Sequence, residues 1–158
     1  HFVFDQADTP WDIMVGAGTG VAPFMARIHE ILQLDRQSQK KLWCIFGFRS
    51  QELVLYKEEL KLLREKYGGR LRIDYVLSRE QTNPDGSRMY CGDFVAQHPE
   101  IIQRVVQDQS ASLYICGILG LEVKIDEAFE HYCAELGINW QDMKEKLCSE
   151  HRWIQEVY

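Results

Sequence analysis

The run Gly16-Ala17-Gly18-Thr19-Gly20 joins a short apolar stretch, Asp12 to Gly16, to a segment with helical periodicity from Val21 to Leu34. Glycines allow a tight turn and let a pyrophosphate come close to the backbone. The helix that follows offers unpaired N–H groups and the positive end of its dipole. Pro23 suits its first turn, and the Thr19 hydroxyl can add a bond to a phosphate oxygen. The feature specifies a strand–turn–helix unit. Glycine spacing alone leaves two readings of it, an anion-binding turn and a plain connection.

The rest of the chain repeats the same alternation. Val21, Phe24, Met25, Ile28, Ile31 and Leu32 form one stripe of the first helix. Strands are predicted at Leu42 to Phe48, Leu71 to Leu77, Leu113 to Cys116 and Arg152 to Tyr158. Helices are predicted at Leu53 to Tyr67, Glu100 to Gln107, Leu121 to Leu136 and Trp140 to Glu150. Gly68-Gly69 and Gly137 act as stops, and Asn83-Pro84-Asp85-Gly86 is a turn. Strands separated by helices imply βαβ units and a parallel sheet. The expected fold is an α/β, Rossmann-like sheet of about five strands with helices on both faces. Ligands of such sheets bind beyond the carboxyl ends of the strands. That rule points to Gly16 to Gly20, Gly47 to Ser50, Ser78 to Tyr90 and Cys116 to Gly120.

A chain of 158 residues suits one compact domain. Its formal net charge of −6 argues against a general nucleic-acid binder, which needs clustered Lys and Arg. The five cysteines, Cys44, Cys91, Cys116, Cys133 and Cys148, contain no CxxC pair. That pattern argues against zinc or an iron–sulfur cluster, and for reduced thiols. No metal site is expected. His29, His98, His131 and His151 lack ligand-like spacing, setting aside the leading His1. No apolar run is long enough to span a membrane. Because the chain starts at His1, it reads as a fragment or processed product.

The string GAGTGVAPF at residues 16–24 resembles the nicotinamide-domain signature of the ferredoxin–NADP(H) reductase family, which includes the diflavin reductases. Four further segments agree in order: FGFRS at Phe46 to Ser50, LSREQTNPDGSRMY at Leu77 to Tyr90, CGILGLE at Cys116 to Glu122, and the terminal WIQEVY. SREQTN and the EVY ending look closest to the plastid and cyanobacterial type. The resemblance covers essentially the whole chain. It implies that residues 1–158 are an NADP(H)-binding domain, with a preceding FAD-binding β-barrel outside this sequence.

The resemblance assigns Gly18, Thr19, Gly20, Val21, Gly117 and Leu119 to the cofactor site. It assigns Ser78, Arg79, Arg88 and Tyr90 to the adenosine 2′-phosphate. A 2′-phosphate calls for a hydroxyl and cations, with arginine preferred for its forked donors. Sites choosing NAD instead place an Asp or Glu near the ribose, and none replaces Ser78, Arg79 or Arg88. Arg88 stands where the plastid type usually has Lys. Gly92 stands where the family often has Gln, which changes the adenine contact. Arg49 resembles a phosphate-contacting arginine of the diflavin type; the other reading is a surface arginine.

By the same resemblance, Cys116 lies beside the reacting nicotinamide carbon and the flavin. Glu156 lies near the reacting centre, and the aromatic Tyr158 stacks on the flavin. The implied activity of the parent protein is NADP(H)-dependent flavoprotein oxidoreduction. A hydride passes between NADPH and FAD, and single electrons pass to or from ferredoxin or a similar iron–sulfur or flavodoxin carrier. Such a partner is acidic, and the basic residues available for docking are Lys40, Lys41 and Lys57. The implied compartment is the cytoplasm or a plastid stroma. Two alternatives stand: a reductase component of an oxygenase or epoxidase with upstream iron–sulfur modules, and a non-catalytic NADP(H)-sensing module.

Overall fold

The structure, a computed structural model, describes residues 3–4 and 7–158; the leading His1 lies outside them. Five strands form one sheet: β1 (Trp11–Ala17), β2 (Lys41–Phe48), β3 (Leu71–Leu77), β4 (Ala111–Gly117) and β5 (Trp153–Val157). Their order is β3-β2-β1-β4-β5, and every pairing is parallel. Six helices connect them: α1 (Ala22–His29), α2 (Lys57–Tyr67), α3 (Cys91–Gln97), α4 (Pro99–Val106), α5 (Leu121–Glu135) and α6 (Trp140–Ser149).

Alternation along the strands divides the core. Ile13, Val15, Trp43, Ile45, Leu113 and Ile115 pack with the buried residues of α3 to α6. Met14, Leu42, Cys44, Phe46, Tyr114 and Cys116 point the other way, onto the buried faces of α1 and α2. All seven residues of β4 are buried, as expected of a strand covered on both faces.

The predicted strands and most helices are found, with three differences. The helix expected over Val21 to Leu34 has three parts: a 3₁₀ turn at Gly18–Val21, then α1, then a π turn at Glu30–Leu34. The helix expected from Leu53 starts at Lys57, because Tyr56 has a φ of 59°, in the left-handed region. Helix α3 was not predicted. It is seven residues long and carries Gly92, and its buried Cys91, Phe94 and Val95 hold it to the core.

A buried ion cluster ties β1 to its surroundings. Asp12 is fully buried. It accepts from Arg27 Nε at 3.0 Å and from Lys40 Nζ at 2.9 Å. Burial alone would lower the Arg27 pKa; the charge and hydrogen bond of Asp12 outweigh it, and the shift is upward. Lys40 is thereby committed to the interior and is not available for docking. Among the described residues, no helix is long and apolar enough to cross a membrane.

Candidate functional site

The sheet order reverses direction at β1. From β1 the chain moves out through β2 and β3, then crosses back to β4 on the other side. The carboxyl ends of β1 and β4 therefore diverge, and the turns that leave them frame a crevice. A cavity of about 740 Å³ lies there. The four segments named from the sequence all contribute to its wall or its rim. Gly18, Thr19, Arg49, Ser78, Arg79, Arg88, Tyr90 and Leu119 line it.

Each wall has a local cause. Gly18 has a φ of +56° in open space, which lets the turn after β1 reverse without a side-chain clash. Ser78 and Arg79 extend β3 past its last strand residue: their N–H groups donate to Phe48 O at 3.0 Å and Arg49 O at 2.8 Å. Ser78 is buried while Arg79 is exposed. The turn at 83–86 closes with Gly86 N–H on Asn83 O at 2.9 Å. A single antiparallel bridge, Thr82 to Arg88, then returns the chain to the cavity. Tyr90 precedes α3, and its N–H donates to Asp93 Oδ2 at 2.8 Å.

Other predicted residues have different places. Gly20 and Val21 are buried and do not line the cavity. Val21 belongs to the core facing α1 and α2, so only its backbone could serve a ligand. A methyl on Gly20 would lie 2.7 Å from the Cys116 carbonyl carbon and 2.8 Å from Gly117 Cα. Gly20 is thus a packing glycine that lets the turn rest on the end of β4.

Cys116, Gly117, Glu156 and Tyr158 form a second group at the β4–β5 edge. Cys116 pairs in register with Glu156, and Gly117 with Val157. Tyr158 does not fray. Its N–H donates to Gly117 O at 3.1 Å, and its carbonyl accepts from Leu119 N–H at 3.0 Å. Its hydroxyl lies 2.7 Å from Thr19 Oγ1, so the two groups meet above the glycine turn. Burial, then the charge of Glu156, pushes the Cys116 thiol up. At neutral pH it is a neutral, compact side chain and not a thiolate. Burial also raises Cys91, to about 12.

Several lining residues fall outside the segments read from the sequence, and of these Leu53, Leu55 and Lys124 are the most exposed. Leu53 and Leu55 form an apolar lip, turned outward by the late start of α2. Lys124 enters from α5, with its Nζ 5.2 Å from the centre of the Tyr90 ring. Among the described residues that line the cavity, four are cationic (Arg49, Arg79, Arg88 and Lys124) and none is acidic. This concentration occurs in a chain of net charge −6.

The profile of the oxidoreductase NAD-binding domain family matches residues 14–127. The chain belongs to that family. The matched span of this NAD-binding domain runs from β1 into α5 and takes in every lining residue named above. Ferredoxin–NADP reductase of Thermosynechococcus vestitus is 37% identical over 150 residues, which are 92% of this chain and 39% of that protein. The chloroplastic leaf isozyme 1 of ferredoxin–NADP reductase from Arabidopsis thaliana is 33% identical over 149 residues, 92% of this chain and 41% of that protein. The family resemblance read from the five motifs is borne out. The chain spans between about a third and a half of the curated relatives it matches.

Proposed function

We propose that this domain is the NADP(H)-binding part of an FAD-dependent, ferredoxin–NADP(H) reductase-like oxidoreductase. The observation that carries the reading is the charge of the cavity: four cations, no carboxylate and a glycine turn, at the switch point of a parallel sheet. That donor set fits a dinucleotide bearing an extra phosphate and does not fit one selected through its ribose hydroxyls by a carboxylate. Gly18 and Thr19 would hold the pyrophosphate. Ser78, Arg79 and Arg88 would hold the 2′-phosphate, with Tyr90 under the adenine and Arg49 on a further phosphate oxygen.

Bound nicotinamide and flavin supply hydride transfer. The residues of this chain bind and orient them. Neutral Cys116 and side-chain-free Gly117 leave room at the end of β4, Glu156 places a carboxylate beside them, and Tyr158 offers an exposed ring to a flavin. The physiological partner in this reading is ferredoxin or a related iron–sulfur or flavodoxin carrier. Five free cysteines, four of them buried, suit a reducing compartment such as cytoplasm or plastid stroma.

Calorimetric titration of this chain with NADP+, 2′-phospho-AMP and NAD+ at fixed low salt tests the reading. NADP+ and 2′-phospho-AMP are expected to bind, and NAD+ at least tenfold more weakly. Arg79→Ala and Arg88→Ala are each expected to weaken NADP+ by about 10- to 100-fold, the value of one charged hydrogen bond, and to leave NAD+ unchanged. Equal binding of NADP+ and NAD+, or undiminished discrimination in both variants, would overturn the 2′-phosphate assignment.

A further inference from the structure

Gly92 lies in the first turn of α3, where α3 packs on α5. A methyl on Gly92 would run into the Lys124 Cβ and would approach the Lys124 backbone to 3.3 Å. The missing side chain on α3 is therefore what lets α5 sit close enough to bring Lys124 to the cavity. Once there, Lys124 joins a small unit around Tyr90. Asp93 accepts the Tyr90 N–H at 2.8 Å. The Lys124 ammonium lies 5.2 Å from the Tyr90 ring centre and 3.8 Å from Asp93 Oδ2.

The pairing with Asp93 is long and open to water, with side-chain exposures of 50% and 22%. Such a pair contributes little, so the ammonium remains available to an anion. Its stacking on Tyr90 fixes the ring on one side by a cation–π contact. Tyr90 keeps 45% of its surface exposed, enough for a flat base on the other side. Arg79 and Arg88 reach the same cavity from the loop after β3. Lys124 adds a third cation from a different element, 36 positions after Arg88 (124 minus 88).

We propose that Lys124 is a specificity-determining residue of the nucleotide site. Its ammonium serves as a third cation for the 2′-phosphate and as the brace that holds Tyr90 for stacking, in space opened by Gly92. This rests on the reading that the cavity takes NADP(H).

The test is titration of this chain, Lys124→Met and Lys124→Arg with 2′-phospho-AMP across a range of ionic strength. Lys124→Met is expected to lose about tenfold in affinity and to show a flatter dependence on salt, because one charge contact is gone. Lys124→Arg is expected to restore both. The unfolding midpoint should not move, since Lys124 is half exposed. Unchanged affinity and salt dependence in Lys124→Met, alongside a loss in Arg79→Ala, would mean that the arginines hold the phosphate alone and would overturn the inference. Equal losses in the Met and Arg variants with an unaltered salt dependence would assign Lys124 a packing role and overturn it too. Failure of the unsubstituted chain to bind 2′-phospho-AMP would bring down the nucleotide reading itself.

Discussion

Asp12→Asn is expected to destabilise the domain by about 3–5 kcal/mol, the cost of stranding buried charge. The substitution keeps the shape of the side chain and removes only its charge, so no cavity confuses the result. Arg27 and Lys40 both direct cations at this one carboxylate, and both side chains are 9% exposed. Arg27 retains Glu30 at 3.2 Å as a second partner; among the described residues Lys40 keeps a long contact to Ala7 O at 3.4 Å. The site lies at the start of β1, the central strand, opposite the cavity. Urea unfolding should therefore show a lower midpoint, with nucleotide affinity intact at low urea. A loss below about 1 kcal/mol would show that water reaches both cations.

Gly20→Ala is expected to cost about 2–3 kcal/mol, near the upper part of the usual range for overpacking, and to weaken NADP+ binding with it. The added methyl meets backbone atoms of Cys116 and Gly117, not the yielding end of a side chain. Either the turn lifts off β4 or the end of β4 moves, and both carry predicted site residues. Gly18→Ala is the informative comparison. Gly18 has free space but a φ of +56°, so its cost is conformational, about 1–2 kcal/mol. If calorimetry and urea unfolding found Gly20→Ala milder than Gly18→Ala, the close approach to β4 would be refuted.

The strands and the order of the helices were legible because a fully buried parallel strand has few other readings: Leu42 to Phe48 and Leu113 to Cys116 are short, continuous apolar runs, while Leu71–Leu77, at the sheet edge, mixes Arg72 and Asp74 with its buried residues. The start of α2 was not legible. Leu53 sits seven residues before Leu60, in helical register with it, yet tertiary structure turns Leu53 and Leu55 out as a lip on the cavity. Helix α3 was hidden by Gly92 and its length; the available signal was Asp93, three residues after Tyr90, an acid placed to cap a helix start. The 2′-phosphate segment could be read because Ser78, Arg79, Arg88 and Tyr90 lie within one loop. Lys124 could not, since only the packing of α3 on α5 brings it to them. A glycine in a helix that marks close approach was the single clue, and it lay at Gly92.

The pairing of β1 with β4 joins Trp11 to Ala111, about 100 residues apart, whereas β1 meets β2 across about 30. Closing the longer loop costs about 1 kcal/mol more in chain entropy. During refolding, β1 to β3 can assemble through local crossovers before β4 and β5 arrive. The crevice between β1 and β4 exists only after that last closure. Ligand capture then works as a gauge of completed assembly: in a stopped-flow refolding experiment, competence to bind NADP+ should return with the slowest phase, after most helical signal has recovered. If binding returned together with the earliest helical signal, the two halves of the sheet would have to form in one step.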